Sequence, residues 1–436
     1  MTDDITLPQL VRKLALFLAF VLLFEGLLIA VAPRFHSGSV LRIAKDALFL
    51  RVGKDSSYYM AQGYLAWKQH PNALYETVFF QRGIRFIYPP TALLLYRAWQ
   101  AAARIGIPPS IAMNATLLMA LLATMAVAGE FLLRLLPERS ILESKPADRW
   151  KIRALVGLLA FFFLPIIDAY NLGQVQTFLN FMLMAAALLW LRGSRVSPAL
   201  LIGLTCWLKP QMILFVIWGL LRRQWRFTTS LAITFFTGVF LSVAVFGWHN
   251  SVEYVQVLQY LGHRGDSMFW NQSLNGLLHR LMHVGSIITS FYGYPPFNRT
   301  IYLATILSSA TMVLLALIVP MHRKVTATTA DFLMYAMACT MASPIVWQHH
   351  YGVFFLVFLL WIPQALQQRK TLLFLVPMYL LMTDTWAPLT PLMFTRWTFL
   401  ISHVYFGGLA LFLYTLFREQ SNDHSFPGFV EARTRD

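Results

Sequence analysis

The sequence predicts an all-α, multi-pass membrane protein, and three observations predict it. Of 436 residues, 58% are hydrophobic and 12% charged, about half the charged share of a soluble domain. The apolar residues fall into blocks of about 20, the length of a bilayer-spanning helix. Lys and Arg gather between alternate blocks, as cytoplasmic loops require. The net charge of +16 is therefore read as loop orientation and grip on anionic headgroups, not as a nucleic-acid footprint. No nucleic-acid partner is expected.

In chain order the blocks read as spans near 11–32, 110–136, 154–169, 174–192, 197–208, 210–221, 228–248, 299–320, 327–343, 352–365, 371–388 and 396–417. Residues 14–32 resemble a signal peptide, but they are too long, lack a clear small-residue cleavage site and contain Glu25. They are read as a retained first span. The blocks 197–208 and 210–221 are short for a bilayer, so they are read as half-helices meeting at Lys209-Pro210. Residues 88–106 are apolar but interrupted by Arg97 and Arg104, which fits an amphipathic helix on the outer face.

With the N-terminus inside, Arg12, Lys13, the basic 137–153 loop, Arg192, Arg195, Arg222, Arg223, Arg226, Arg323, Lys324, Arg369, Lys370 and Arg418 all fall on the cytoplasmic side. The opposite connections, around 170–173, 344–351 and 389–395, carry no Lys or Arg. The expected architecture is one transmembrane domain over 1–417 with about twelve spans. It has a first outer segment at 33–109, a second at 249–298 and a cytoplasmic tail at 418–436.

Some chemistries are absent. Cys206 and Cys339 sit inside apolar runs and form no disulfide framework. No P-loop or Gly-rich dinucleotide fingerprint occurs, so no nucleotide-binding domain is expected. No Asp-x-Asp pair offers a metal clamp, and His349-His350 lack a nearby carboxylate, so neither metal nor cofactor is expected.

Under this topology the unusual polar groups share the outer side: KDSSYY (54–59), RFIYPP (85–90), YNLGQ (170–174), WLKPQ (207–211), WNQSLNGLLHR (270–280) and SPIVWQHHY (343–351). Polar groups at membrane depth are costly unless they line a protein cavity. Each has a plainer alternative. Asp55 can be a solvated loop carboxylate, Tyr88-Pro89-Pro90 a helix start, Asn171 and Gln174 helix-end partners, and Lys209 a snorkelling side chain.

In this order the motifs resemble glycosyltransferase family 87, polyprenol-phosphate-mannose-dependent mannosyltransferases of the C-type glycosyltransferase superfamily. The matching residues are Asp55 and Tyr59, Leu74-Tyr75, Tyr88-Pro89-Pro90, NLGQ (171–174), KPQ (209–211), NQSL (271–274) and SPIVWQHH (343–350). The resemblance implies the C-type fold and inverting transfer of a sugar, most simply mannose, from a polyprenyl-phosphate donor on the outer face. It implies a glycan or glycolipid acceptor, a lipid-bilayer setting such as a bacterial inner (plasma) membrane, and a catalytic acid in the first outer loop.

Under that implication Asp55 is the general base, because an attacking hydroxyl must lose its proton. Asp46, Glu76 and Asp168 are its rivals. Lys209, Arg280, His349 and His350 are candidates to hold the leaving phosphate. Tyr59, Tyr88, Asn171, Gln174, Gln211, Asn271, Gln272 and Trp347 are candidates for sugar or acceptor contact, since carboxamides both donate and accept. A transporter or lipid flippase, or a C-type transferase of another sugar such as aminoarabinose, are the competing readings.

Overall fold

A backbone in hydrocarbon must satisfy its own hydrogen bonds, which a helix does within one segment. The computed structural model describes residues 6–31, 38–282, 289 and 293–418. Residue 32 of the first span, residues 33–37 of the first outer segment, 283–288 and 290–292 of the second, and 419–436 of the tail lie outside the described residues. Among the described residues there is no β-strand, only one isolated bridge between Asn271 and Trp347.

The helices are α1 (Leu7–Val31), α2 (Val40–Leu48), α3 (Asp55–Gln69), α4 (Ala92–Ala102), α5 (Pro109–Leu135), α6 (Glu138–Leu142), α7 (Pro146–Phe161), α8 (Leu164–Asn171), α9 (Gln176–Leu191) and α10 (Val196–Cys206). They continue with α11 (Phe215–Leu221), α12 (Trp225–Phe246), α13 (Trp248–Arg264), α14 (Leu274–Leu281), α15 (Arg299–Arg323), α16 (Thr329–Met341), α17 (Phe354–Gln367), α18 (Arg369–Thr383) and α19 (His403–Arg418).

The chain is an all-α membrane protein. Among the described residues, 6 helical segments are long and apolar enough to cross a membrane, or up to 8 if each bent pair counts as one span. One bent pair is α7 with α8, turned by 66°. The twelve-block reading also counted shorter helices. The clearest is α16, whose 13 residues are all buried; an apolar stretch of that length is what a core helix needs, short of a bilayer's thickness. The 88–106 segment forms α4, of only 11 residues, with Ala92, Leu93 and Trp99 buried along one side.

The break at Lys209-Pro210 is present. Helix α10 ends at Cys206, Lys209 is extended at φ −146°, and a 3-10 turn over Pro210–Leu214 leads into α11. Proline starts this turn because it lacks the N–H that a helix start leaves unpaired. Helices α11 and α16 both run from this region to a buried ion pair at their far ends. There Arg222 grips Asp331 with two nitrogens, at 2.8 and 3.0 Å, and both side chains are fully buried.

Candidate active site

The start of α3 docks on the turn after α8 by backbone alone. The amides of Gly53, Asp55 and Ser56 donate to the carbonyls of Asn171, Leu172 and Gly173 at 2.7, 3.1 and 3.3 Å. These carbonyls are the unpaired end of α8. The approach is close enough that a Cβ on Gly173 would strike the carbonyl of Gly53, and one on Gly53 would strike that of Leu172. Gly173 also has φ +69°, a conformation side chains disfavour. Two glycines thus place Asp55, the first residue of α3, beside Gln174.

Gln174 is the hub. Its amide nitrogen donates to the Asp55 carboxylate. Its carbonyl oxygen accepts from Ser56 Oγ at 3.0 Å and Tyr88 Oη at 3.1 Å, and those two hydroxyls meet at 2.9 Å. Tyr88 is in turn fixed by Tyr75, whose hydroxyl donates to the Tyr88 carbonyl at 2.6 Å. The Leu-Tyr and Tyr-Pro-Pro motifs are therefore mechanically coupled. Burial pushes the Asp55 carboxyl up to about 6, against the Gln174 N–H and the Lys209 charge, with the Asp168 charge adding to the rise.

Lys209 stands opposite. Its ammonium donates to Gln176 Oε1 at 2.9 Å and meets His350 Nε2 at 2.6 Å. The backbone N–H of Trp347 approaches His350 Nδ1 at 3.3 Å. A neutral imidazole accepts at one nitrogen only, so the direction of the Lys209–Nε2 contact is set by the His350 tautomer. Gln176 also donates to Asn180 at 3.0 Å, so the carboxamides of α9 align the lysine. No carboxylate lies within ion-pair distance of Lys209 among the described residues. Thr91 Oγ1 donates to the Trp207 carbonyl at 2.5 Å, tying the Tyr-Pro-Pro segment to the broken helix.

These groups border a cavity of about 210 Å³. Tyr59, Tyr88, Gln174, Lys209, Gln211, Trp347 and His350 line it. Asp55 stands one hydrogen bond behind the wall, on Gln174. The remaining candidates are elsewhere. Asn171 gives the clamp its backbone carbonyl. His349 is buried, with Nδ1 3.6 Å from Asp168 Oδ2. Asp46 pairs with Arg51 at 3.6 Å, and Glu76 is exposed.

Three sequence candidates turn inward to the scaffold. Asn271 donates to the carbonyls of Asp266 and Pro344 at 2.7 and 3.0 Å and accepts from the Val346 N–H at 2.9 Å. Gln272 donates to the carbonyls of Phe269 and Ile401, both at 3.0 Å. Arg280 donates to the carbonyls of Met268 and Asn271 at 2.9 and 3.1 Å. All three are fully buried and absent from the cavity wall. A carboxamide or guanidinium ties backbone carbonyls as readily as it reads a ligand.

Sequence reasoning missed the other charged wall. Arg85 and Asp266 line the cavity and pair at 2.9 Å, with Arg85 stacked over Tyr294 at 4.4 Å. They are 181 residues apart in sequence, and no local pattern joins them. Among the described residues no group of three His, Cys, Asp or Glu side chains is arranged to hold a metal.

The family model for glycosyltransferase family 87 matches residues 86–346. The matched span takes in Tyr88, Gln174 and Lys209, while Asp55 and His350 lie outside it. No curated protein and no solved structure matches the chain.

Proposed function

The chain belongs to glycosyltransferase family 87, and from that premise we propose that this membrane glycosyltransferase moves mannose from a polyprenyl-phosphate donor to a hydroxyl of a glycan or glycolipid. In this reading the anomeric carbon inverts. Asp55 takes the acceptor's proton as its oxygen attacks that carbon, and the carbon–oxygen bond to the phosphate breaks. The polyprenyl phosphate departs with the electron pair, and Lys209 with His350 bears its charge. The observation that carries the proposal is the cavity that has Gln174-bound Asp55 behind one wall and Lys209–His350 on another.

The sugar then lies between Gln174, Gln211, Tyr59, Tyr88 and Trp347, with aromatic faces available for stacking. A donor already energised and already in the membrane fits a chain whose sequence has no nucleotide-binding fingerprint. A single domain over 1–417 and an outward-facing site in a bacterial plasma membrane complete the reading. They rest on the distribution of Lys and Arg. Arg280, Asn271 and Gln272 are left out of the site because their polar atoms are engaged by backbone carbonyls, backbone N–H groups and the Ser402 hydroxyl.

The test is transfer by the purified chain. Polyprenyl-phosphate-mannose without any nucleotide sugar should support product formation. Product formed only from a nucleotide sugar would reject the proposal.

A further inference from the structure

A second cavity, of about 340 Å³, lies away from the first. Its walls are Leu14, Leu16 and Phe17 of α1, Leu159 of α7, Phe355, Phe358, Leu359, Ile362 and Leu366 of α17, and Leu372, Leu375, Val376 and Tyr379 of α18, with Lys13 at one end. We propose that this groove binds one acyl chain of an anionic phospholipid, in the leaflet opposite the glycosyl-transfer site.

Length supports it first. The wall on α17 runs from Phe355 to Leu366, about 16 Å at 1.5 Å per helical residue. Half of a bilayer's hydrocarbon core is about 15 Å. A groove of that length along the membrane normal accommodates one leaflet's chain. Its lip is open sideways, since Leu16 and Leu372 are 60% and 42% exposed. Tyr379 lines the groove with its hydroxyl spent on the Leu159 carbonyl at 3.1 Å. That leaves an apolar floor.

Charge selects the headgroup. Lys13 of α1 lines the groove with exposed Arg12 next to it in sequence, and exposed Arg369 and Lys370 lie on the first turn of α18, just before the lining residue Leu372. Lys13 Nζ already reaches the carbonyl of Leu366 at 3.4 Å, which holds it over the groove. One cation in the wall of an apolar slot, with three more beside it in sequence, matches a phosphate on an acyl chain, each basic residue near the surface contributing attraction. The leaflet follows from α1 itself. Lys13 lies in its first third, whereas its far end leads to α2, which packs on α8 beside Asp55.

The experiment uses the full chain in phosphatidylcholine nanodiscs doped with phosphatidylglycerol that carries a diazirine midway along one acyl chain. Light should cross-link the probe to Phe17, Phe358 and their neighbours on α1 and α17. Unlabelled phosphatidylglycerol should compete, and phosphatidylcholine should not. Lys13→Gln should lower labelling about five-fold. Leu372→Trp, which narrows the lip without entering the core, should lower it as well. Equal labelling by a phosphatidylcholine probe, labelling unchanged in Lys13→Gln, or cross-links confined to other helices would each overturn the proposal. Sugar-transfer activity is a separate readout, so failure here leaves the transferase reading intact.

Discussion

Two charged sites sit at opposite ends of α11 and α16, and they are built on opposite rules. At one end Arg222 and Asp331 are paired by two hydrogen bonds. The same carboxylate also accepts from Trp218 Nε1 at 3.2 Å and the Ala327 N–H at 2.8 Å, and Arg222 donates to the Leu317 carbonyl at 2.9 Å. Every interaction there is internal. At the other end Asp55 and Lys209 are held by neutral groups, Gln174 on one side and Gln176 with His350 on the other. A neutral partner orients a charge without cancelling it. Charges kept apart beside a cavity are poised for a ligand, whereas charges paired inside a core serve the fold.

The comparison can be broken by substitution, and the largest effect belongs to Asp55. Asp55→Asn keeps shape and removes basicity. Turnover should fall by roughly 10²–10⁴ while melting temperature and donor binding stay near wild type. Asp168→Asn should cost clearly less, because that carboxylate faces His349. Normal turnover in Asp55→Asn with a dead Asp168→Asn would move the base to Asp168.

Next comes the internal pair, where the expected loss is in stability. Arg222→Ala strands a buried carboxylate and should cost about 3–5 kcal/mol, read as a lower melting temperature and yield. Molecules that do fold should turn over at the normal rate per site. A stable but inactive variant would place this pair in the catalytic machinery and erase the distinction.

Lys209→Ala should reduce turnover by roughly 10²–10³, the cost of one lost donor to developing negative charge. Lys209→Arg should recover part of it if charge alone is needed. Full activity in the alanine variant would assign Lys209 to membrane anchoring. The smallest effect is expected at Tyr88→Phe, which removes one donor to Gln174 and should change turnover only several-fold, matching about 1 kcal/mol for one neutral hydrogen bond. A loss as large as that of Asp55→Asn would mean Tyr88 touches the reacting atoms.

Legibility in the sequence followed the range of the interactions. Apolar blocks and alternate basic loops are local, so the membrane class and the Lys209-Pro210 break were readable. Span count was less so, because a buried core helix such as α16 has the same composition as a span and differs only in length. Gln174 and Lys209 were found through motifs, but the pairing of Gly53 with Gly173 was not. It depends on two backbones approaching within a methyl group's width, and a glycine in a motif does not announce what it faces. Arg85 with Asp266 escaped for the same reason of distance in the chain. Asn271 and Gln272 face backbone groups in place of the cavity, and residue type alone cannot say which of the two a carboxamide faces.

The central claim is that Asp55 is the base, and the pH dependence of single-turnover transfer tests it most directly. Burial raises the Asp55 carboxyl to about 6, and a base works only when ionised. The wild-type rate should therefore climb about ten-fold per unit as pH rises toward 6 and level off above it. Asp168→Asn should move that inflection down, because removing a nearby negative charge eases ionisation of Asp55. In Asp55→Asn the residual rate should lose the inflection altogether while the donor still binds. An inflection near 6 that persists unchanged in Asp55→Asn would contradict the account.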